Sequence, residues 1–190
     1  LYLDTIFRKD VEISKGRRSK LGLAFKEEFP MKDQVLIEEK IEANGADQFL
    51  EITGGLLTKK EAGKISYEIF EPSEALAGEE ILSLEEKFLA GEGQNITPAR
   101  FGSNQQEYER ISEATKSDFE KVARILNVEG YARIDAFVRV YKDRVETIVI
   151  EVNSLPGMTP ATCIFHQTAI NGYRPFEFID QILKFAFDKN

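Results

Sequence analysis

The chain has 190 residues, enough for one domain or for one domain and part of a second, and its 42% apolar content allows a substantial core. A net charge of −8 without any long basic run argues against nucleic-acid binding, and no apolar run approaches the roughly 20 residues of a membrane-spanning helix. Cys163 is the single cysteine, so an intrachain disulfide is excluded and a reducing, cytoplasmic setting is expected.

The opening LYLDTIF has neither the basic start nor the small-residue cleavage site of a secretory leader. It also lacks an initiator Met and reads as if it begins within a strand, so the chain is expected to be a fragment of a longer protein. Residues 1–14 alternate as one or two short strands, and Ser19 caps a helix to Phe29 with Leu21, Ala24, Phe25 and Phe29 on its apolar face. Gln34–Glu38 reads as a buried strand, and the largely polar stretch 42–48 is the best internal boundary or insertion. Phe49–Thr58 and Gly63–Phe70 read as paired strands, followed by an irregular region over 71–98. Ser103 is expected to open a long helix with Tyr108, Ile111, Thr115, Phe119, Val122, Ala123 and Leu126 on one face. Tyr131–Val140 and Val145–Asn153 are two further strands. Thr159-Pro160 has the form of a helix cap followed by proline, for a helix ending near Gly172, and Pro175 opens a last helix to about Phe187. Strands first and helices interleaved late imply an α+β fold, an antiparallel sheet flanked by helices.

The stretch YARIDAFVRVYKDRVETIVIEVN carries the most chemical information. Side chains on a strand alternate faces, so Arg133 and Asp135 share one face of the first strand, and Glu151 and Asn153 share one face of the second. Folding the hairpin about Asp143 sets Ile134 against Val152, Ala136 against Ile150 and Val138 against Ile148. The same register places Asp135 opposite Glu151 and Arg133 opposite Asn153. Two like charges about 5 Å apart destabilise a sheet unless something offsets them. A raised carboxyl pKa, a bridging Arg133 or a bound cation would each serve, and a plain solvated face is the simplest alternative. Two carboxylates beside an amide oxygen are hard ligands of the kind Mg²⁺ takes.

The chain then continues Pro156-Gly157-Met158-Thr159. The ordered set Arg133-Ile-Asp135, Glu151-Val-Asn153 and Pro156-Gly-Met-Thr159 resembles the D-alanine–D-alanine ligase family of the ATP-grasp superfamily, from about Glu38 through the last helix. The resemblance implies residues 1–37 as a partial smaller ATP-grasp lobe and 38–190 as the C-terminal catalytic lobe. It implies a cytoplasmic, ATP- and Mg²⁺-dependent (or Mn²⁺-dependent) ligase that joins D-alanine through an acyl phosphate, in the synthesis of peptidoglycan precursors for the cell wall. Asp135, Glu151 and Asn153 would hold the metal, and Arg133 would neutralise the transferred phosphoryl group. Gly157 would offer a backbone N–H at the reacting carbonyl, and Thr162 a hydroxyl to the substrate carboxylate at a helix start. Glu38, Glu39 and Ile41 would read the adenine edge, Glu51 the ribose and Lys87 the phosphates. The partners implied are ATP and D-alanine, and a homodimer is compatible with the family. The only histidine, His166, reads as a packing or polar-network residue.

The stretch Ile6–Glu12 departs from the family by having no glycine where its phosphate-covering loop belongs. A ligase for another small amino or hydroxy acid, and a degenerate nucleotide-binding module, are therefore the competing expectations. The chain alone is expected to bind nucleotide weakly and to form no dipeptide.

Overall fold

The computed structural model describes residues 39–76, 95–159 and 162–187. The strands and helix expected before Glu39 lie outside that range, as do Glu38 and Lys87. The chain divides into two units, Leu1–Lys40 and Ile41–Asn190. Of the first unit only Glu39 and Lys40 are described, and every described strand and helix belongs to the second.

Among the described residues six strands form one antiparallel sheet: β1 (Gln48–Glu61), β2 (Lys64–Ile69), β3 (Ser73–Ala75), β4 (Asn95–Ile96), β5 (Tyr131–Val140) and β6 (Val145–Asn153). The order across the sheet is β4-β3-β1-β5-β6, with β2 pairing the far half of β1. Among the described residues three helices, α1 (Gln105–Ile125), α2 (Cys163–Ile170) and α3 (Pro175–Phe187), give the expected α+β architecture. β3 and β4 lie in a region expected to be irregular. Their buried groups are polar, which hides them from an apolar pattern: Ser73 is fully buried, and Glu74, 5% exposed, takes a two-pronged ion pair from Arg100.

Helix α1 begins one residue later than expected. Asn104 Oδ1 accepts the Glu107 N–H at 3.0 Å, while Glu107 Oε2 accepts the Ser103 N–H and hydroxyl at 2.8 Å each. That reciprocal arrangement satisfies N–H groups the first helical turn cannot pair internally. The expected stripe Ile111, Thr115, Phe119 and Ala123 is buried against the sheet, but Leu126 is 56% exposed. The helix ends at Ile125 and Asn127 turns with φ +49°, so Leu126 leaves the 3.6-residue face. Glu71, after β2, fixes this helix by accepting Tyr108 Oη at 2.7 Å and Ser112 Oγ at 2.8 Å and pairing with Lys116. Burial pushes the Glu71 carboxyl up, but those donors hold it below the usual carboxylate range.

One sheet face carries Ile52, Leu56, Ala132, Ile134, Ala136 and Val138 into a core with α1. The opposite face packs Leu57 and Phe70 on Ile164 of α2 and Phe178 of α3. The β5–β6 hairpin shows why its far end carries chemistry. The Tyr141 N–H donates to the Arg144 carbonyl at 2.9 Å, closing a two-residue loop of Lys142 and Asp143. From there the register runs Val140 to Val145, Val138 to Thr147 and Ala136 to Val149, then shifts between Ala136 and Asp135. Ile150 is the extra residue, and beyond it Asp135 opposes Glu151, Ile134 opposes Val152 and Arg133 opposes Asn153. The expected pairs Ala136–Ile150 and Val138–Ile148 are therefore replaced near the turn, while all three pairs beyond the bulge hold. A tight two-residue turn sets the first register, and the bulge re-aims the last residues of β6 so that both acids reach one face.

Candidate active site

The row Thr53–Asp135–Glu151 crosses β1, β5 and β6, and the row Gly55–Arg133–Asn153 lies beside it on the same face. Arg133 grips Asp135 from both prongs, Nε to Oδ1 at 2.9 Å and Nη2 to Oδ2 at 2.8 Å, with the two side chains 32% and 16% exposed. Asn153 Nδ2 donates to Asp135 Oδ2 at 3.2 Å and to Glu151 Oε1 at 3.0 Å. In this form, then, the facing acids are offset by a bridging amide and a guanidinium. Burial alone would push the Arg133 guanidinium down, but its hydrogen bonds and charge attraction to Asp135 leave it raised, with Cys163 and Glu151 adding to the effect.

That geometry offsets the repulsion expected between two facing like charges. Asp135→Asn is expected to lower thermal stability in chelator by about 1–2 kcal/mol, because a half-buried guanidinium loses its matched partner. A melt equal to or above the parent's would show that the facing charges repel more than the arginine pair gains.

The loop after β6 is pinned by Pro156, which is buried, and by Met158, which packs against the α2–α3 cluster. Between them Gly157 is exposed, and a Cβ built there would meet only Thr162 Cγ2, at an ordinary 3.6 Å. The chain's own packing therefore does not require glycine at 157. Helix α2 starts at Cys163 with Thr162 as its cap, rather than at Thr159-Pro160. The Thr162 N–H and hydroxyl both donate to the Thr159 carbonyl, at 2.9 and 2.7 Å, so the threonines close a turn before the helix begins. Cys163 then lies beside the acid row. Burial pushes its thiol up, Arg133 pulls it down, Asp135 pushes it up and the Thr53 hydroxyl pulls it down, and the thiol ends raised.

The structure thus brings Arg133, Asp135, Glu151, Asn153, Gly157 and Thr162 to one end of the sheet. Glu51 is on the same face, two pairs nearer the turn and opposite Phe137, whose ring stacks on Phe49 at 5.2 Å. Ile41 is half-buried, whereas Glu39 is exposed and belongs to the first unit. A cavity of about 560 Å³ lies elsewhere, at the turn end of the hairpin between Gln48, Glu107, Arg110 and Tyr141, and holds none of these residues.

Among the described residues no three His, Cys, Asp or Glu side chains gather as a metal cluster. The donor set for a cation is two carboxylates and one amide. It fits a hard cation that completes its shell with phosphate and water oxygens, provided the Asn153 amide presents Oδ1 in place of Nδ2.

Sequence reasoning passed over Gln167. It is fully buried, donates from Nε2 to the Thr53 carbonyl at 2.7 Å and to Ser73 Oγ at 2.9 Å, and accepts the Gly55 N–H at 2.8 Å. Its neighbour His166 is exposed, which removes the packing half of the expected packing or polar-network role. Polar composition alone cannot say which of the two faces the sheet. The only available signal was helical phase from the buried Ile164.

The family profile described as D-ala D-ala ligase C-terminus matches residues 11–184. A D-alanine–D-alanine ligase of Caldicellulosiruptor bescii is 29% identical over 181 residues, covering 95% of this chain and 44% of that protein. One of Leptospira biflexa is 31% identical over 147 residues, covering 76% of this chain and 37% of that protein. Among solved structures, D-alanyl-alanine synthetase A of Vibrio cholerae aligns with TM-score 0.49 and 26% identity, over 72% of this chain and 38% of that one. The chain spans less than half the length of these relatives. Among its described residues no helix is long and apolar enough to cross a membrane.

Proposed function

From the premise that this chain belongs to the D-alanine–D-alanine ligase C-terminal family, we propose that it supplies the metal-and-phosphoryl half of an ATP-dependent carboxylate–amine ligase that makes D-alanyl-D-alanine in the cytoplasm for peptidoglycan synthesis. The observation that carries the reading is the face-to-face Asp135–Glu151 pair, flanked by Arg133 and Asn153 and set at the start of α2.

In this reading Asp135, Glu151 and Asn153 would hold Mg²⁺, which would supply positive charge to offset that of nucleotide phosphates. Arg133, held in place by Asp135, presents its remaining N–H groups to the phosphoryl oxygens. The exposed Gly157 leaves room for a carbonyl to approach its N–H. The α2 start favours the carboxylate of a bound amino acid, with Thr162 beside it, because the helix dipole is positive at that end. ATP would phosphorylate one D-alanine carboxylate, and the amine of a second D-alanine would displace phosphate from the acyl phosphate. By the family resemblance Glu51 would serve the ribose and Ile41 the adenine edge.

The test is calorimetric titration of ATP with and without Mg²⁺, into the chain and into Glu151→Gln. Mg²⁺ is expected to tighten ATP binding to the parent, and Glu151→Gln to lose about 10- to 100-fold of affinity in Mg²⁺ only. The same affinity in all four titrations would remove Asp135, Glu151 and Asn153 from the metal assignment.

A further inference from the structure

We infer that Thr53 is a positioning residue for this site, its hydroxyl being the donor that holds Asp135 once a divalent cation occupies the Asp135–Glu151 pair. The inference rests on the metal reading above and adds a residue to it. Among the described residues three buried side-chain polar atoms have no hydrogen-bond partner: the hydroxyls of Thr53, Thr115 and Thr147. A buried donor without a partner is costly and rare enough to need a reason. Thr115 sits on the α1 face that packs on the sheet, and Thr147 opposes Val138 on the apolar side. Thr53 is the cross-strand partner of Asp135 on the site face and is itself only 8% exposed. The Cys163 sulfur also lies near it, but sulfur is a weak hydrogen-bond partner for a hydroxyl. Opposed side chains on adjacent strands stand about 5 Å apart at Cβ, within reach of a hydroxyl and a carboxylate.

The backbone at this point is fixed. Gln167 holds the Thr53 carbonyl and the Gly55 N–H, and Ser73 pairs with Thr53 from the other side. Only rotation of the side chain remains. In the metal-free form Asp135 has no need of another donor, because Arg133 takes Oδ1 and Oδ2 and Asn153 Nδ2 takes Oδ2 as well. A cation changes that, because Asn153 can ligate only through its amide oxygen, which turns Nδ2 away from Asp135. The Thr53 hydroxyl is then the adjacent donor free to replace it. Groups that orient a metal ligand from behind in this way set affinity without touching the ion.

The probe is Mn²⁺ alone, titrated into the whole chain and followed by the electron paramagnetic resonance signal of the free ion. Thr53→Val is expected to weaken Mn²⁺ binding about 10-fold or more, and Thr53→Ser to stay within about 3-fold of the parent. Melts in chelator supply a readout a structural role would move oppositely: Thr53→Val should melt at or above the parent, because the lost hydroxyl had no partner. Unchanged Mn²⁺ affinity in Thr53→Val, alongside a clear loss in Glu151→Gln, overturns the inference and leaves the metal site standing. A lower melting point for Thr53→Val in chelator also overturns it, by showing that the hydroxyl already serves the empty fold. No Mn²⁺ binding by the parent that Glu151→Gln removes would take away the metal reading and this inference together.

Discussion

Gln167→Leu is expected to destabilise the chain by about 3–5 kcal/mol, seen as a fall in melting temperature on the order of 10 °C. Leucine nearly matches the volume, so packing is not the cause. The side chain reaches from α2 into the sheet and completes two backbone groups of β1, the Gly55 N–H and the Thr53 carbonyl, besides bonding Ser73. All of this is sealed from water, with Gln167 at 0% exposure. Each buried peptide group left without a partner costs about 1–3 kcal/mol, because unfolding would return it to water. His166→Ala, one position away and exposed, is the control and should shift stability by less than about 0.5 kcal/mol. A Gln167→Leu variant within about 1 kcal/mol of the parent would mean these peptide groups find other partners, and that α2 is not held to the sheet through them.

The second large effect is expected from Gly54→Val, at about 3 kcal/mol. A Cβ at Gly54 would stand 2.3 Å from Cε2 and 2.7 Å from Cδ2 of Phe119, below any distance real Cβ atoms adopt. The phenyl ring cannot yield easily, being fully buried in the core between α1 and the sheet. Strand propensity pulls the other way, since valine suits a strand far better than glycine, and the clash outweighs that gain. A double-mutant cycle with Phe119→Leu separates the two. In the Phe119→Leu background Gly54→Val should cost less than in the parent by about 0.5 kcal/mol or more. Strict additivity would show that the glycine is there for another reason than the ring.

The Gly54-Gly55 pair also marks the limit of what strand patterns reveal. Two glycines inside a strand read as weakness, yet one receives Phe119 from α1 on one face and the other receives Gln167 from α2 on the opposite face. Close approach of two helices is a property of the assembled layers. No local periodicity encodes it.

The sequence by itself determined the strand and helix identities wherever burial alternated cleanly. β5 and β6 were legible to their end residues, because the apolar face of β5 repeats every second residue without interruption. It also singled out the residues proposed to carry the site, since Arg133, Asp135, Glu151 and Asn153 differ in kind from the Val and Ile around them. Tertiary structure decided the rest. The bulge at Ile150 depends on a conflict between a two-residue turn and the face the acids must share, and a hairpin folded symmetrically on paper contains no such conflict. The start of α2 at Cys163 depends on a turn closed by Thr162 on Thr159, where the threonine–proline pair offered an equally good local cap. The Gln167 tie, and the Thr53 hydroxyl left unpaired beside Asp135, arise only when strands distant in sequence are brought alongside one helix. Local propensities fix elements, because their energies are set within a few residues. Hydrogen-bond satisfaction and close packing are set between elements, and in this chain they position the groups proposed to do the chemistry.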